Sequence, residues 1–190
     1  MNTKQIAQFT RVDMSKSEKE VFYSPKQING FLLNINKQMV QDNFRPDYII
    51  GITRGGLVPA LKLSHYLEIP MYALGEDESN LWMAEDAFGY ESVNDKGTSV
   101  PTKRKNILIV DDINDTGTTL NNLKNDWQSG CLPHNSSWND VWHRNVKFAV
   151  LIDNEASAFN CDYNGVTINK FENPEWCVFP WENWWLEQNN

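Results

Sequence analysis

No run of this 190-residue sequence is apolar for long enough to cross a membrane, and its opening stretch MNTKQIAQFTRVDMSKSEKE contains no apolar signal core. Cysteine is scarce. Cys131, Cys161 and Cys177 are odd in number, widely spaced and form no Cys-x-x-Cys, which speaks against a disulfide scaffold and for a reduced setting. Basic excess is missing too: 17 Lys and Arg against 25 Asp and Glu leave a formal net charge of -8. DNA and RNA are therefore not expected partners, whereas a small anion carried with a divalent cation is compatible with the charge. Neither Gly-x-x-x-x-Gly-Lys-Ser/Thr nor Gly-x-Gly-x-x-Gly occurs, so a P-loop and a dinucleotide fingerprint are both excluded. What remains is the expectation of one soluble, cytoplasmic domain, since 41% hydrophobic content suffices for a single core.

The most informative stretch is ILIVDDINDTGTTL, residues 107–120. Ile107 to Val110 form a short, largely β-branched run that suits a buried strand of a parallel sheet. Asp111 and Asp112 then put carboxylates at the strand tip, close to Asp115, and hard oxygens of this kind suit Mg²⁺ or sugar hydroxyls. Thr116, Gly117, Thr118 and Thr119 combine a turn-permitting glycine with hydroxyls and lead into a helical pattern at Leu120, Leu123 and Trp127. Such a helix start offers backbone N–H groups to an anion. An EF-hand fits poorly, because the position of its bidentate Glu is Leu123 and a strand precedes the loop. A mere helix cap would account for Asp115 but not for the acids before it or the threonines after it.

Residues 1–20 are polar and aperiodic and read as an N-terminal extension, with the domain spanning 21–190. Ser24, Pro25 and Gln27 make a capping box for a helix carrying Ile28, Phe31, Leu32, Ile35 and Met39 to about Phe44. Tyr48 to Thr53 reads as a strand that breaks at Arg54-Gly55-Gly56 before a helix patterned by Leu57, Leu61 and Leu67. That break is either an ordinary strand-to-helix turn or, through the cation Arg54 and two glycines permitting close approach, a seat for a second phosphate such as pyrophosphate. Pro70 to Leu74 is another short strand.

Residues 75–102 are polar but hold Leu81, Trp82, Met83, Phe88 and Tyr90, and are expected to form a lid loop. Residues 128–145 read as an irregular connection whose Cys131, His134 and His143 match no closed zinc pattern and are expected at the surface. Val146 to Ile152 is the next strand. The last part, 156–190, forms a small hood, and its four tryptophans from Trp176 to Trp185 are either a packed lid or a platform for a flat ring.

With these residues in view, ILIVDDINDTGTTL resembles the PRPP-binding signature of type I phosphoribosyltransferases. DYIIGITRGGLVPALKLSHYLEIP, residues 47–70, is similar to the pyrophosphate-loop segment of the xanthine-guanine branch, and WCVFPWE, residues 176–182, to its purine-binding hood. The resemblance implies an α/β fold, a Rossmann-like, mainly parallel sheet flanked by helices with a small C-terminal hood. It implies an Mg²⁺-dependent purine phosphoribosyltransferase acting on PRPP and a purine base and releasing pyrophosphate. Another acceptor, or a non-catalytic PRPP sensor on the same fold, is the alternative.

Carried over by position, the resemblance makes Asp115 the catalytic acid facing the base. Asp111, Asp112, Thr116, Gly117, Thr118 and Thr119 would bind PRPP, and Arg54, Gly55 and Gly56 its pyrophosphate. Asp111, Asp112 and Glu182 become the metal ligands, and Trp176, Cys177 and Asn154 the base-binding residues. Asn154 stands where purine members carry a lysine that reads the 6-oxo group. A homo-oligomer, dimer or tetramer, is compatible with the resemblance; a membrane or nucleic-acid partner is not expected.

Overall fold

The computed structural model describes residues 19–75, 80–89, 91–93, 99–101, 103–182 and 184–185. The chain runs through β1 (Lys19–Phe22), α1 (Pro25–Gln41), β2 (Tyr48–Ile52), α2 (Leu57–Leu67), β3 (Met71–Leu74), α3 (Leu81–Phe88), β4 (Glu91–Val93) and β5 (Ser99–Pro101). It continues through β6 (Ile107–Asn114), α4 (Thr118–Gly130), a 3-10 turn (Ser136–Asp140), β7 (Val146–Asn154), β8 (Tyr163–Ile168) and β9 (Glu175–Val178). The expected α/β class is found: five strands in the order β3-β2-β6-β7-β8, all parallel, with helices on both faces.

Alternate side chains of the central strands feed two cores, as the two-residue period of a strand demands. Ile49, Leu108, Val110, Ala149 and Leu151 pack against Ile28, Leu32, Ile35 and Met39 of α1 and Ala60 and Leu63 of α2. Ile50, Ile107, Ile109, Phe148 and Val150 face Met83, Ala84 and Ala87 of α3 and Leu120, Leu123 and Trp127 of α4. Burial on both faces is why β2 and the start of β6 are apolar without alternation.

Helix α1 begins with the expected capping box: Gln27 N–H donates to Ser24 Oγ (3.3 Å) and Ser24 N–H to Gln27 Oε1 (2.9 Å). The helix ends at Gln41, short of the expected Phe44, because Asn43 adopts a left-handed conformation with φ 52°. The Asp42 carboxylate then accepts from Tyr163 Oη (2.6 Å) and pairs with Lys147, tying the helix end to the far edge of the sheet. Helix α2 has the expected span but a different buried face: Pro59, Ala60 and Leu63 point inward, whereas Leu61 is 50% exposed. A Cβ on Gly51 would lie 2.9 Å from the Ala60 Cβ, so this close small-residue contact sets the rotation of the helix.

Two expectations need correction. Within 75–102, residues 81–88 are no lid loop but α3, whose Met83, Ala84 and Ala87 are buried in the second core, while Trp82 packs edge-on against Tyr72 (5.1 Å). Residues 91–93 and 99–101 pair as an antiparallel ribbon, and Tyr90 lies outside the described residues. The connection at 128–145 is likewise a core plug. Cys131 is buried, not at the surface, and its carbonyl accepts from Trp138 Nε1 (2.9 Å). Trp138 and Trp142 stack beneath it at 5.2 Å. His143 is exposed but pairs with Asp162 (3.0 Å). The large aromatic residues in both polar stretches serve packing.

Strand β1 also begins two residues before the expected start of the domain. β1 pairs in parallel with β9, so the N-terminal and C-terminal segments build the hood together. Most of the expected extension, residues 1–18, lies outside the described residues. Among the described residues no helix is long and apolar enough to cross a membrane.

Candidate active site

Strand order places the site. From β2 the chain moves outward to β3 on one side, and from β6 it moves outward to β7 and β8 on the other, so β2 and β6 are adjacent strands whose following loops diverge. A crevice at the carboxyl ends of such strands is the usual ligand position in open α/β sheets. Here a cavity of about 260 Å³ opens there, lined by Thr53, Gly55 and residues 111–120. The most informative stretch of sequence thus forms one wall of the crevice.

Strand β6 does not stop at Val110 as expected but continues to Asn114, with Asp111 opposite Val150 and Asn114 opposite Asp153. The pleat therefore turns the two adjacent carboxylates to opposite faces. Asp112 faces the turn after β2, where a Cβ on Gly55 would overlap its carboxylate. Gly56 is as constrained, since a Cβ there would run into the Val110 carbonyl. These glycines are thus required by the chain's own packing of the turn onto β6. Arg54 is exposed on that turn, and its carbonyl accepts from Leu57 N–H (3.2 Å).

The Asp112 carboxyl is pushed up to about 6, chiefly by burial and next by the negative charge of Glu182. Glu182, on the hood, is fixed by the Phe179 N–H donating to its Oε2 (2.9 Å). Asp111 Oδ1 accepts from the Asp112 N–H at 2.9 Å. Burial and the neighbouring Glu182 thus disfavour ionisation of Asp112.

The turn into α4 is set by Gly117. Gly117 has φ +83°, and a Cβ there would approach Phe159 N to 2.7 Å, so both conformation and space require glycine. The N-cap Gly117 has no side chain to cap α4, whose first turn carries the exposed Thr118 and Thr119, and the Thr118 N–H donates to Thr116 Oγ1 at 3.3 Å. The Thr116 hydroxyl lies 2.9 Å from that of Thr118, and the Thr116 carbonyl accepts from Ala158 N–H (3.1 Å). Beneath the turn, buried Asn114 donates to Asp153 Oδ1 (2.7 Å) and the Phe159 carbonyl (2.8 Å) and accepts from Ser157 Oγ (2.8 Å). The loop after β7 therefore braces the anion turn.

Asp115 leaves this turn towards the hood, where its Oδ2 pairs with Lys170 Nζ at 2.8 Å. Asn154, 7% exposed, donates to the Asp115 carbonyl (2.9 Å) and accepts from the N–H groups of Lys170 (3.1 Å) and Ala156 (3.3 Å). Cys177 is buried, and its thiol is pushed up to about 11, first by burial and then by the Glu175 charge. Trp176, the residue before it, is 48% exposed. The alternatives for the tryptophan-rich tail divide by residue: Trp181 stacks on Phe179 at 4.9 Å, whereas Trp176 keeps an open face.

Sequence reasoning did not find Lys170, Asn114 or Ser157. Lys170 sits 55 positions from Asp115, in a turn without a motif, and only the β8-to-β9 connection brings the two together.

The sequence pattern of the phosphoribosyl transferase domain family matches residues 19–188. The hypoxanthine-guanine phosphoribosyltransferase of Schizosaccharomyces pombe is 25% identical over 191 residues, covering 90% of this chain and 92% of that protein. Among solved structures, a purine phosphoribosyltransferase from Pyrococcus horikoshii aligns with a TM-score of 0.57 and 25% identity, covering 86% of this chain and 95% of the other. The xanthine-guanine-hypoxanthine phosphoribosyltransferase of Helicobacter pylori has the same fold, with a TM-score of 0.59 at 19% identity over 88% and 97% of the two chains.

Proposed function

We propose, on the premise that this chain belongs to the phosphoribosyl transferase family, that it transfers the 5-phosphoribosyl group of PRPP to a purine base, giving a nucleoside monophosphate and pyrophosphate. The observation that carries this reading is the single crevice in which an anion-binding helix start, acidic strand residues and Asp115 are contiguous. The purine acceptor is supported by the names of the relatives and by the open face of Trp176 on the hood. Purine salvage in the cytoplasm is the setting this reading implies.

The bond to be broken joins the anomeric carbon to a pyrophosphate oxygen, and the sugar passes through an oxocarbenium-like state. In this reading the first turn of α4 and Thr116 to Thr119 hold the 5-phosphate, fixing the sugar for in-line attack. Arg54 balances charge gathering on the departing pyrophosphate. The base lies against Trp176 beside Cys177, and Asp115 takes the proton from its attacking nitrogen. General base help of this kind is typically worth about 10²–10⁴ in rate.

A magnesium ion fits this donor set. Burial and the Glu182 charge leave Asp112 with excess negative charge that a divalent cation relieves. Among the described residues no three or more His, Cys, Asp or Glu side chains form a cage, and Mg²⁺ characteristically takes few protein ligands and completes its shell with water and substrate oxygens. Asp112, with Glu182 for a second ion, would hold it, while Asp111, turned to the opposite face of β6, would meet the sugar hydroxyls. When bound, it supplies positive charge to the pyrophosphate oxygens.

The test is pyrophosphate release from PRPP and Mg²⁺ with a panel of bases. Turnover is expected with at least one of hypoxanthine, guanine and xanthine. No release with these or with adenine would overturn the reading.

A further inference from the structure

We propose that Asn114 and Ser157 are positioning residues for sugar-phosphate binding, a hydrogen-bonded pair that holds the turn at 116–119 in its binding shape before any ligand arrives. The inference rests on the assignment of that turn to the 5-phosphate and deepens it by naming what sets the turn's affinity.

Asn114 is 2% exposed at the end of β6, a strand whose other buried side chains are aliphatic. A buried amide costs stability unless its polar atoms are paired. Here Nδ2 donates to Asp153 Oδ1 (2.7 Å) and to the Phe159 carbonyl (2.8 Å), and Oδ1 accepts from Ser157 Oγ (2.8 Å). Asn114 borders the crevice, yet its amide is committed to the segment 153–159. The Ser157 hydroxyl accepts in turn from Phe159 N–H (3.1 Å), while Ser157 N–H donates to the Asn154 carbonyl (2.8 Å). The segment is thereby locked to the ends of both β6 and β7.

The turn rests on this locked segment. Ala158 N–H donates to the Thr116 carbonyl (3.1 Å) and Asn121 Nδ2 to the Ala158 carbonyl (3.4 Å), so the chain is held on both sides of Gly117. Gly117 lies against the same place: a Cβ on it would come within 2.9 Å of Ser157 Oγ. Phe159 is itself clamped, its ring edge-on to Phe148 at 4.7 Å and beneath Lys124 Nζ at 5.6 Å. Thr116, Thr118 and Thr119 are exposed on the open side, so the shape of the turn is set from behind. A ligand that meets a preset turn is spared the cost of ordering a loose one. Removing the Ser157 hydroxyl takes the donor from Asn114 Oδ1 and the acceptor from Phe159 N–H, and the support loosens.

The experiment measures ribose 5-phosphate and PRPP affinity by calorimetry in wild type, Ser157→Ala, Ser157→Thr and Asn114→Leu. Magnesium pyrophosphate affinity, assigned to the Arg54 turn, and melting temperature are the references. Ser157→Ala and Asn114→Leu should each weaken ribose 5-phosphate and PRPP binding by about tenfold, with a less favourable binding entropy, while pyrophosphate affinity changes by less than about threefold. Ser157→Thr keeps the hydroxyl and should recover most of the affinity. Combining Ser157→Ala with Asn114→Leu should cost no more than about twofold beyond the worse single variant, because the two residues act as one unit. If Ser157→Ala does not fold, Ser157→Cys, whose thiol is a weak donor, gives the same comparison. Unchanged ribose 5-phosphate affinity in the variants would overturn the proposal. So would a parallel loss of pyrophosphate affinity without rescue by Ser157→Thr, which would mark the pair as merely structural. A wild type that binds neither ribose 5-phosphate nor PRPP would overturn the functional reading and this inference together. The expected affinity pattern in a protein that converts no purine would support the pair and overturn the transfer reaction alone.

Discussion

In the proposed reading, the phosphate end and the base end of the site are built in opposite ways. The phosphate end is one continuous piece of chain, the carboxyl half of β6 and the turn into α4, and its donors are largely backbone groups set by Gly117. The base end would draw on Asp115, joined to Asn154 at the close of β7 and to Lys170 in the turn before β9, and on Trp176 of a strand paired with β1. Local geometry makes the first. Tertiary placement of single side chains makes the second, so substitutions should separate sugar-phosphate binding from acceptor chemistry.

The largest expected effect is at the joint between the two ends. Asp115→Asn should reduce turnover about 10²-fold, and at least about tenfold, while calorimetric PRPP affinity stays within about threefold. A parallel loss of PRPP affinity would mean that Asp115 belongs to the phosphate end. Next is Gly117→Ala, which forces an alanine to φ +83° and its Cβ towards Phe159. PRPP affinity should fall about tenfold, and the melting temperature should drop as well, with an expected destabilisation of about 1–3 kcal/mol. Trp176→Ala should raise KM for the base by about fivefold or more and leave PRPP affinity unchanged, as read by steady-state kinetics and calorimetry.

The same contrast explains what could be read from the sequence. The strand, turn and helix of 107–130 were legible because short-range chemistry writes them: a β-branched run, acids, and Thr-Gly-Thr-Thr before a helical pattern. The Ser24 box and β2 were legible for the same reason. Lys170 was not, because nothing near it in the chain shows that β8 will carry it to Asp115. The stretches at 75–102 and 128–145 misled in the other direction. The first read as a lid loop and the second as an irregular connection, yet Met83, Trp138 and Trp142 fill the core under the α3–α4 face.

A smaller effect comes from Asp112. Its folded-state carboxyl is raised to about 6, so the folded protein holds the proton more tightly than the unfolded chain does. Stability is therefore lost as pH rises from about 4 through about 6. Without Mg²⁺, Asp112→Asn should melt about 2–4 °C above wild type at pH 7.5 and level with it near pH 4. An Asp112→Asn protein less stable at pH 7.5 would mean that the carboxylate is satisfied inside the apoprotein. Smallest of all, Ser24→Ala should cost about 1 kcal/mol in denaturant unfolding, with kcat and both KM values unchanged.

The central claim is group transfer from PRPP to a purine, and it is tested most directly by following both products of one reaction. With PRPP, Mg²⁺ and hypoxanthine, guanine or xanthine, the account predicts nucleoside monophosphate and pyrophosphate appearing in equal amounts for at least one base. Pyrophosphate released without nucleotide, or no product from any purine, would contradict it.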